Sequence, residues 1–264
     1  MQKLNQDPRL QLIVGLVFFF VFTIQNIPTQ QGTELLTFCV LFCLVFDVIF
    51  SYWKLKKVIP PYSALITALI LALVVDPVAG WHKIAIISFF AIASKHFIQR
   101  SSKHIFNPAA FGLLLVWLIF NEYPAWWAAS LNSPQLLSLL NLPILLMLGF
   151  IFWVSGFKFK RYYVVLSYLL TFGLLFELFI SFNSSVESFA RTLTNVGMLF
   201  FAFLMLPEPK TTPIKNRQQI IYGSLIAALN VGFTYLTLNT NLPIPDASVA
   251  ALLVGNLVHF ARLE

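Results

Sequence analysis

This chain is short of charge. Only 10% of its 264 residues are Asp, Glu, Lys or Arg, against about 25% in an ordinary soluble domain. With 59% hydrophobic residues and a mean hydropathy of +0.82, the shortage excludes a water-soluble fold and implies an integral membrane protein. Cysteine is also scarce. The two present, Cys39 and Cys43, share a helix face inside an apolar run and read as small buried side chains in preference to metal ligands. A phosphate-binding glycine loop and a nucleophile, base and oxyanion constellation are both missing, which argues against a hydrolase or a nucleotide-driven pump and leaves no residue to name as catalytic. His96 and His104 fit no metal-ligand spacing and read as interfacial, so no metal site is expected. The net charge of +7 does not point to nucleic acid, because the basic residues lie between apolar segments instead of along one face.

What is present is a series of apolar segments near residues 10–26, 33–52, 62–79, 81–97, 107–120, 139–157, 162–182, 188–206, 218–238 and 246–260. A spanning helix takes roughly 20 residues, and the third, fifth and tenth segments look short. No small-residue cleavage site follows the first, so it reads as a retained helix. If all ten cross, 15 of the 17 Lys and Arg residues fall on one side, leaving Lys83 and Arg191 on the other. Basic residues concentrate on the cytoplasmic side, so both termini are expected in the cytoplasm of a multi-pass protein of the cell (inner) membrane. One membrane domain fills 1–264, with no separate soluble domain.

Polar residues that interrupt apolar segments recur at about half the chain length. Asp47 and Glu177 are 130 apart, Asp76 and Glu208 are 132 apart, and Asn107 and Asp246 are 139 apart. Five crossings is an odd number, so the second half starts from the opposite side. The expected fold is therefore all-α, with about ten transmembrane helices in two inverted five-helix repeats, about 10–120 and 139–260, that include short half-helices.

The stretch HIFNPAAFG carries the most specific local signal. Asn107 is a favoured N-cap and Pro108 suits the first helical position. From Asn107 to Phe120 the helix is roughly 21 Å long, short of a hydrocarbon core of about 30 Å. Ala109, Ala110 and Gly112 leave its first free N–H groups open to close approach. Asp246 in PDASVAALL begins a similar helix from the other side. Two half-helix starts of this kind point to a ligand site that favours electron-rich groups, or to re-entrant structural turns. Asp47 and Glu177 are intramembrane acids, read either as steps of an ion path or as structural partners of a donor on a neighbouring helix. Thr211 and Thr212, near Lys210, read as hydroxyls available to a ligand or as a capped turn.

ASKHFIQRSSKHIFNPAAFG, MLPEPKTTPIKNRQQIIYG and PDASVAALLVGNLV, in that order, resemble the signature segments of the NQR2/RnfD family, which contains membrane subunits of the sodium-pumping NADH:quinone reductase and of the Rnf electron-transport complex. The resemblance spans most of the chain. It implies a ten-helix inverted-repeat fold and a place in an electron-transport complex coupled to Na+ or H+. It also implies other membrane subunits and a cytoplasmic electron donor as partners, and flavin (FMN or riboflavin) as cofactor. Members carry FMN on a threonine in a Ser-Gly-Ala-Thr-like stretch after helix five. The corresponding connection here, Asn121 to Ser138, contains no threonine, so non-covalent flavin is expected in place of covalent FMN. The matched motifs direct that flavin to Asn107, Pro108 and Ala109, with Lys103, Thr211, Thr212 and Asp246 as further contacts. The alternative is a small-solute or vitamin transporter or channel without redox chemistry.

Overall fold

The structure is a computed structural model and describes residues 7–100, 103–129, 141–179, 195–240 and 242–261. Ten α-helices run through these residues, one in each segment marked out by the apolar pattern. They are α1 (Pro8–Thr23), α2 (Thr29–Leu55), α3 (Tyr62–Val74), α4 (Trp81–Phe97), α5 (Pro108–Phe120), α6 (Leu142–Phe152), α7 (Tyr162–Phe179), α8 (Val196–Phe200), α9 (Asn216–Asn239) and α10 (Ala247–Ala261). The protein is an all-α, multi-pass membrane protein. Among the described residues, Pro8–Asn26, α2, α7 and α9 are long and apolar enough to cross a membrane alone. Helices α3, α5 and α10 are short, as their sequences indicated, with 13, 13 and 15 residues.

The ends of the helices follow local chemistry. Asp7 caps α1, its Oδ1 accepting from the Arg9 amide at 2.9 Å, and Pro8 takes the first helical position, where no donor is needed. Lys56 ends α2 in the left-handed region at φ 55°. Helix α3 stops before Asp76–Pro77, where the proline disfavours helical backbone in the residue ahead of it. Asn107 caps α5 as expected, Oδ1 accepting from the Ala110 amide at 3.0 Å. Asn195 caps α8 in the same way through the Met198 amide.

Two features were not anticipated. The basic connection between α4 and α5 contains a small antiparallel pair, β1 (Gln99–Arg100) and β2 (Lys103–His104). Helices α6 and α8 continue as π-helical segments, Trp153–Lys158 and Phe201–Met205. The two π segments lie against each other: the Ser155 hydroxyl donates to the Phe203 carbonyl, and the Phe152 and Phe203 rings stack with centroids 4.7 Å apart.

Helices touch most closely where glycine permits it. A Cβ on Gly112 of α5 would stand 2.7 Å from the Ile87 carbonyl oxygen of α4. On Gly223 of α9 it would collide with the Ser167 hydroxyl and the Val164 carbonyl of α7. A backbone carbonyl cannot swing aside, so Gly223→Ala is expected to cost about 1–3 kcal/mol. Thermal unfolding in detergent measures this, and an unchanged midpoint would contradict the close α7–α9 approach. Helix α1 packs on α3 and α6, and α10 on α9 and α5, which joins the N-terminal and C-terminal helices into one bundle.

Candidate functional site

Among the described residues, a cavity opens toward each end of the bundle. The smaller, about 180 Å³, lies at the end that carries most of the lysines and arginines, beside the start of α5. Asn107, Pro108 and Ala109 form one wall, His104 of β2 another, and Glu208 and Lys210 of the PEPKTTP turn a third. Arg9 and Ser155 also reach it. Asn107 is only 2% exposed. Its amide is employed at both ends, since Oδ1 caps α5 and Nδ2 donates to the Met205 carbonyl at 3.1 Å. It therefore fixes the start of α5 against the end of the second π segment and presents backbone to the cavity.

His104, expected at the interface, is 1% exposed and buried against Glu208, with Nε2 2.6 Å from Oε1. The second polar atom of each, His104 Nδ1 and Glu208 Oε2, is buried and has no protein partner. Such atoms are costly unless something outside the chain meets them. Neither residue stood out in the sequence as a site residue; the clue was the acid of LPEP beside a histidine in the Asn107 motif. Desolvation draws the Lys210 ammonium below its ordinary range, with Lys95 and Arg9 adding repulsion against the pull of Glu208 and Asp47.

Thr211 and Thr212 are buried and turned away from this cavity. Thr212 Oγ1 donates to the Glu208 carbonyl at 2.7 Å and accepts from Arg161 Nε at 2.9 Å, while Thr211 closes the same turn. These are the bonds of a capped turn. Lys103 is exposed on β2, one residue from His104.

Asp47 is buried in α2, and two residues of α4 meet it. Lys95 Nζ and His96 Nε2 each stand 2.8 Å from the same oxygen, Oδ1. Lys54 of α2 reaches across in return, donating to the His96 carbonyl at 2.5 Å and to Gln99 Oε1 at 3.0 Å. His96 is thus buried and bonded instead of interfacial. The arrangement clamps α2 to α4 with the carboxylate already compensated. Glu177 is half-buried near the last described turn of α7, far from Asp47 in sequence and not joined to it by any described bond.

The larger cavity, about 710 Å³, lies toward the opposite end. Trp126, Phe172 and Phe176 supply aromatic walls; Asn195, Asn230, Thr234, Ser248 and Asp246 supply polar ones. Asp246 caps α10 through Oδ1, which accepts from the Ser248 and Val249 amides at 3.0 Å each, while Oδ2 accepts from Trp126 Nε1 at 2.9 Å. Trp126 is held in the left-handed region at φ 48°, a strained conformation for an aromatic residue that persists only where surroundings enforce it. Its amide and that of Ala125 both donate to the Val74 carbonyl, and Trp127 Nε1 donates to the Ala72 carbonyl at 3.0 Å, so the connection after α5 is bound onto the end of α3. Residues 130–138 of that connection lie outside the described residues.

The residues singled out by sequence therefore divide. Asn107, Pro108 and Ala109 share the small cavity, Lys103, Thr211 and Thr212 stand behind it, and Asp246 belongs to the large cavity at the other end of the bundle. Among the described residues, no cluster of His, Cys, Asp or Glu is arranged to hold a metal ion.

Comparison with known proteins agrees with the motifs. The NQR2, RnfD, RnfE family matches over residues 6–141. A curated relative, a subunit of the ion-translocating oxidoreductase complex of Actinobacillus succinogenes, is 25% identical over 297 aligned residues that cover 80% of this chain and 84% of the relative.

Proposed function

The chain belongs to the NQR2, RnfD, RnfE family, and on that footing we propose that it is a membrane subunit of an ion-translocating oxidoreductase complex that holds flavin non-covalently. The observation that carries the flavin reading is the large cavity. Its volume of about 710 Å³ falls within the range of about 300–1,000 Å³ usual for cofactor sites, and its composition suits an isoalloxazine. Aromatic side chains of Trp126, Phe172 and Phe176 would offer faces to the ring, and Asn195, Asn230 and Ser248 would offer hydrogen bonds to its polar edge. In relatives of the resembled family the FMN threonine lies in the connection after helix five. Here that connection contributes Trp126 and Ala129 to the cavity wall and has no threonine between Asn121 and Ser138, so stacking and hydrogen bonds must do the holding. When bound, flavin would supply one- and two-electron chemistry; the chain's part is to seat it and keep water from its faces.

The small cavity at Asn107 is below that size range and accommodates one ring or a polar edge, with Pro108 and Ala109 allowing close approach; Lys103, Thr211 and Thr212 lie outside its lining. Phe172→Ala is expected to lower flavin occupancy of the purified protein by about tenfold, as loss of roughly 1–1.5 kcal/mol of aromatic stacking implies. Asn107→Ala is expected to lower it less. The reverse order would move the flavin to the Asn107 end.

The basic end faces the cytoplasm of the cell membrane in this reading, with both termini there and the two five-helix halves related by inverted symmetry. No nicotinamide-binding fold or iron–sulfur ligand set occurs in the sequence, so a cytoplasmic electron donor and other membrane subunits complete the complex. A second reading, a small-solute transporter, draws on one observation: a cavity opens toward each end of the same bundle. Flux of riboflavin into liposomes by a protein that retains no flavin would favour it.

A further inference from the structure

The small cavity contains unmet polar groups of two kinds. The first kind is buried. A carboxylate can only accept, so the 2.6 Å approach of His104 Nε2 to Glu208 Oε1 puts the ring proton on Nε2 and leaves Nδ1 of the neutral imidazole as an acceptor. His104 Nδ1 and Glu208 Oε2 are both buried without a protein partner, and both residues line the cavity. Two such acceptors side by side suit a group that carries several N–H bonds.

The second kind stands at the rim, where the charge is reversed. Arg9 and Lys210 are exposed residues of the lining. Arg9 shares its charge with Asp7 at 3.0 Å, whereas Lys210 makes no hydrogen bond or ion pair among the described residues. Ser63, in the first turn of α3, lines the cavity as well, and that turn has no side-chain cap, so its free amides favour an oxyanion. A simple anion would be drawn to this rim and repelled by Glu208. A simple cation would be drawn to Glu208 and repelled by Lys210 and Arg9. A ligand that carries both charges matches the whole lining, with its ammonium inward and its oxyanion outward. Leu12, Ile66, Ile70 and Leu204 complete the walls with hydrocarbon, which suits the first methylenes of a chain attached beyond the oxyanion.

We infer that the small cavity binds a phosphoethanolamine unit, its primary ammonium donating to His104 Nδ1 and Glu208 Oε2 and its phosphate held by Lys210, Arg9 and the start of α3. Two cations and an open helix start together suit a phosphate. The unit reaches the cavity as the headgroup of a phosphatidylethanolamine from the leaflet at that end or as free phosphoethanolamine from solution, and the apolar walls favour the lipid. The N–H bonds set the selectivity: a trimethylated ammonium has the same charge and no hydrogen to donate, so phosphatidylcholine would leave both buried acceptors unpaired.

The test uses the full chain in nanodiscs of mixed lipids with identical acyl chains, and native mass spectrometry reads which lipid stays bound on release. Phosphatidylethanolamine is expected to be retained over phosphatidylcholine by about tenfold, and also over phosphatidylglycerol, which lacks the ammonium. Glu208→Gln should largely abolish the preference over phosphatidylcholine. Lys210→Gln, an exposed change that spares the packing, should weaken retention of phosphatidylethanolamine a few-fold, which keeps the test open should Glu208→Gln fail to fold. Lys57→Gln, an exposed lysine outside the lining, should change nothing. Free phosphoethanolamine that binds while no lipid is retained would uphold the ligand and give solution as its source. Equal retention of phosphatidylethanolamine and phosphatidylcholine would mean that water meets the two acceptors and would overturn the assignment. A preference for phosphatidylglycerol, or a preference for phosphatidylethanolamine unchanged in both the Glu208 and Lys210 variants, would overturn it as well. The flavin reading concerns the other cavity and does not enter this test.

Discussion

Asp47→Ala is expected to lower the stability of the bundle by about 3–5 kcal/mol, the usual consequence of removing one partner from a buried ionic group. Lys95 and His96 both rest on Asp47 Oδ1, and with the carboxylate gone two buried nitrogens lose their acceptor inside a low-dielectric helix interface. The partner change Asp47→Ala with Lys95→Met should recover much of the loss, because it removes the orphaned cation and fills space with a flexible apolar side chain. Thermal unfolding in detergent, with and without the second change, measures both. If Asp47→Ala were as stable as the native protein, the carboxylate would not be clamping α2 to α4, and the ion-path role would become the stronger reading of this residue.

The second large effect belongs to Arg161. It is buried between the first π segment and the PEPKTTP turn, and burial draws its guanidinium below the ordinary value. Its Nε donates to Thr212 Oγ1, while NH1 donates to the carbonyls of Phe159 and Lys160 and NH2 lies 3.4 Å from the Pro209 carbonyl. Arg161→Ala strips all of these at once and is expected to cost about 3 kcal/mol. It should also release the turn that holds Glu208 and Lys210 on the small cavity. Arg161→Lys should rescue little, because an ammonium lacks the planar fork that serves several acceptors together. The readouts are thermal stability and protease cleavage in the 207–215 turn; a turn as protected in Arg161→Ala as in the native protein would contradict this role for the guanidinium.

How far the sequence foretold these features varies with the range of the interaction. Local signals carried well. The apolar segments located all ten helices, the short ones included, and Asn107 followed by Pro108 marked the start of α5 to the residue because an N-cap acts on an amide three positions away. The π continuations of α6 and α8 left no such mark: WVSGFK and FAFLM read as ordinary apolar helix, and the wider turn arises where the two segments pack on each other through Ser155 and Phe203. Asp47 was visible as an unusual acid, but its partners lie 48 and 49 residues away and depend on which helix packs beside α2. Half-length spacing likewise linked Asn107 with Asp246 without revealing that they serve different cavities at opposite ends of the bundle. His104 looked interfacial because histidines beside basic runs commonly are, and its burial follows from the β1–β2 turn that folds it back onto Glu208.

Polar groups gather at two cavities, one beside the start of α5 and one beside the start of α10. The proposed flavin site is the second of these, with Asp246 in its wall. The measurement that bears most directly on this arrangement is the flavin content of the protein isolated with its complex from native membranes, read by absorbance before and after acid precipitation. Flavin stoichiometric with the chain, and released into the acid supernatant, is the expected result. Protein free of flavin, or flavin that stays with the precipitated chain, would contradict it.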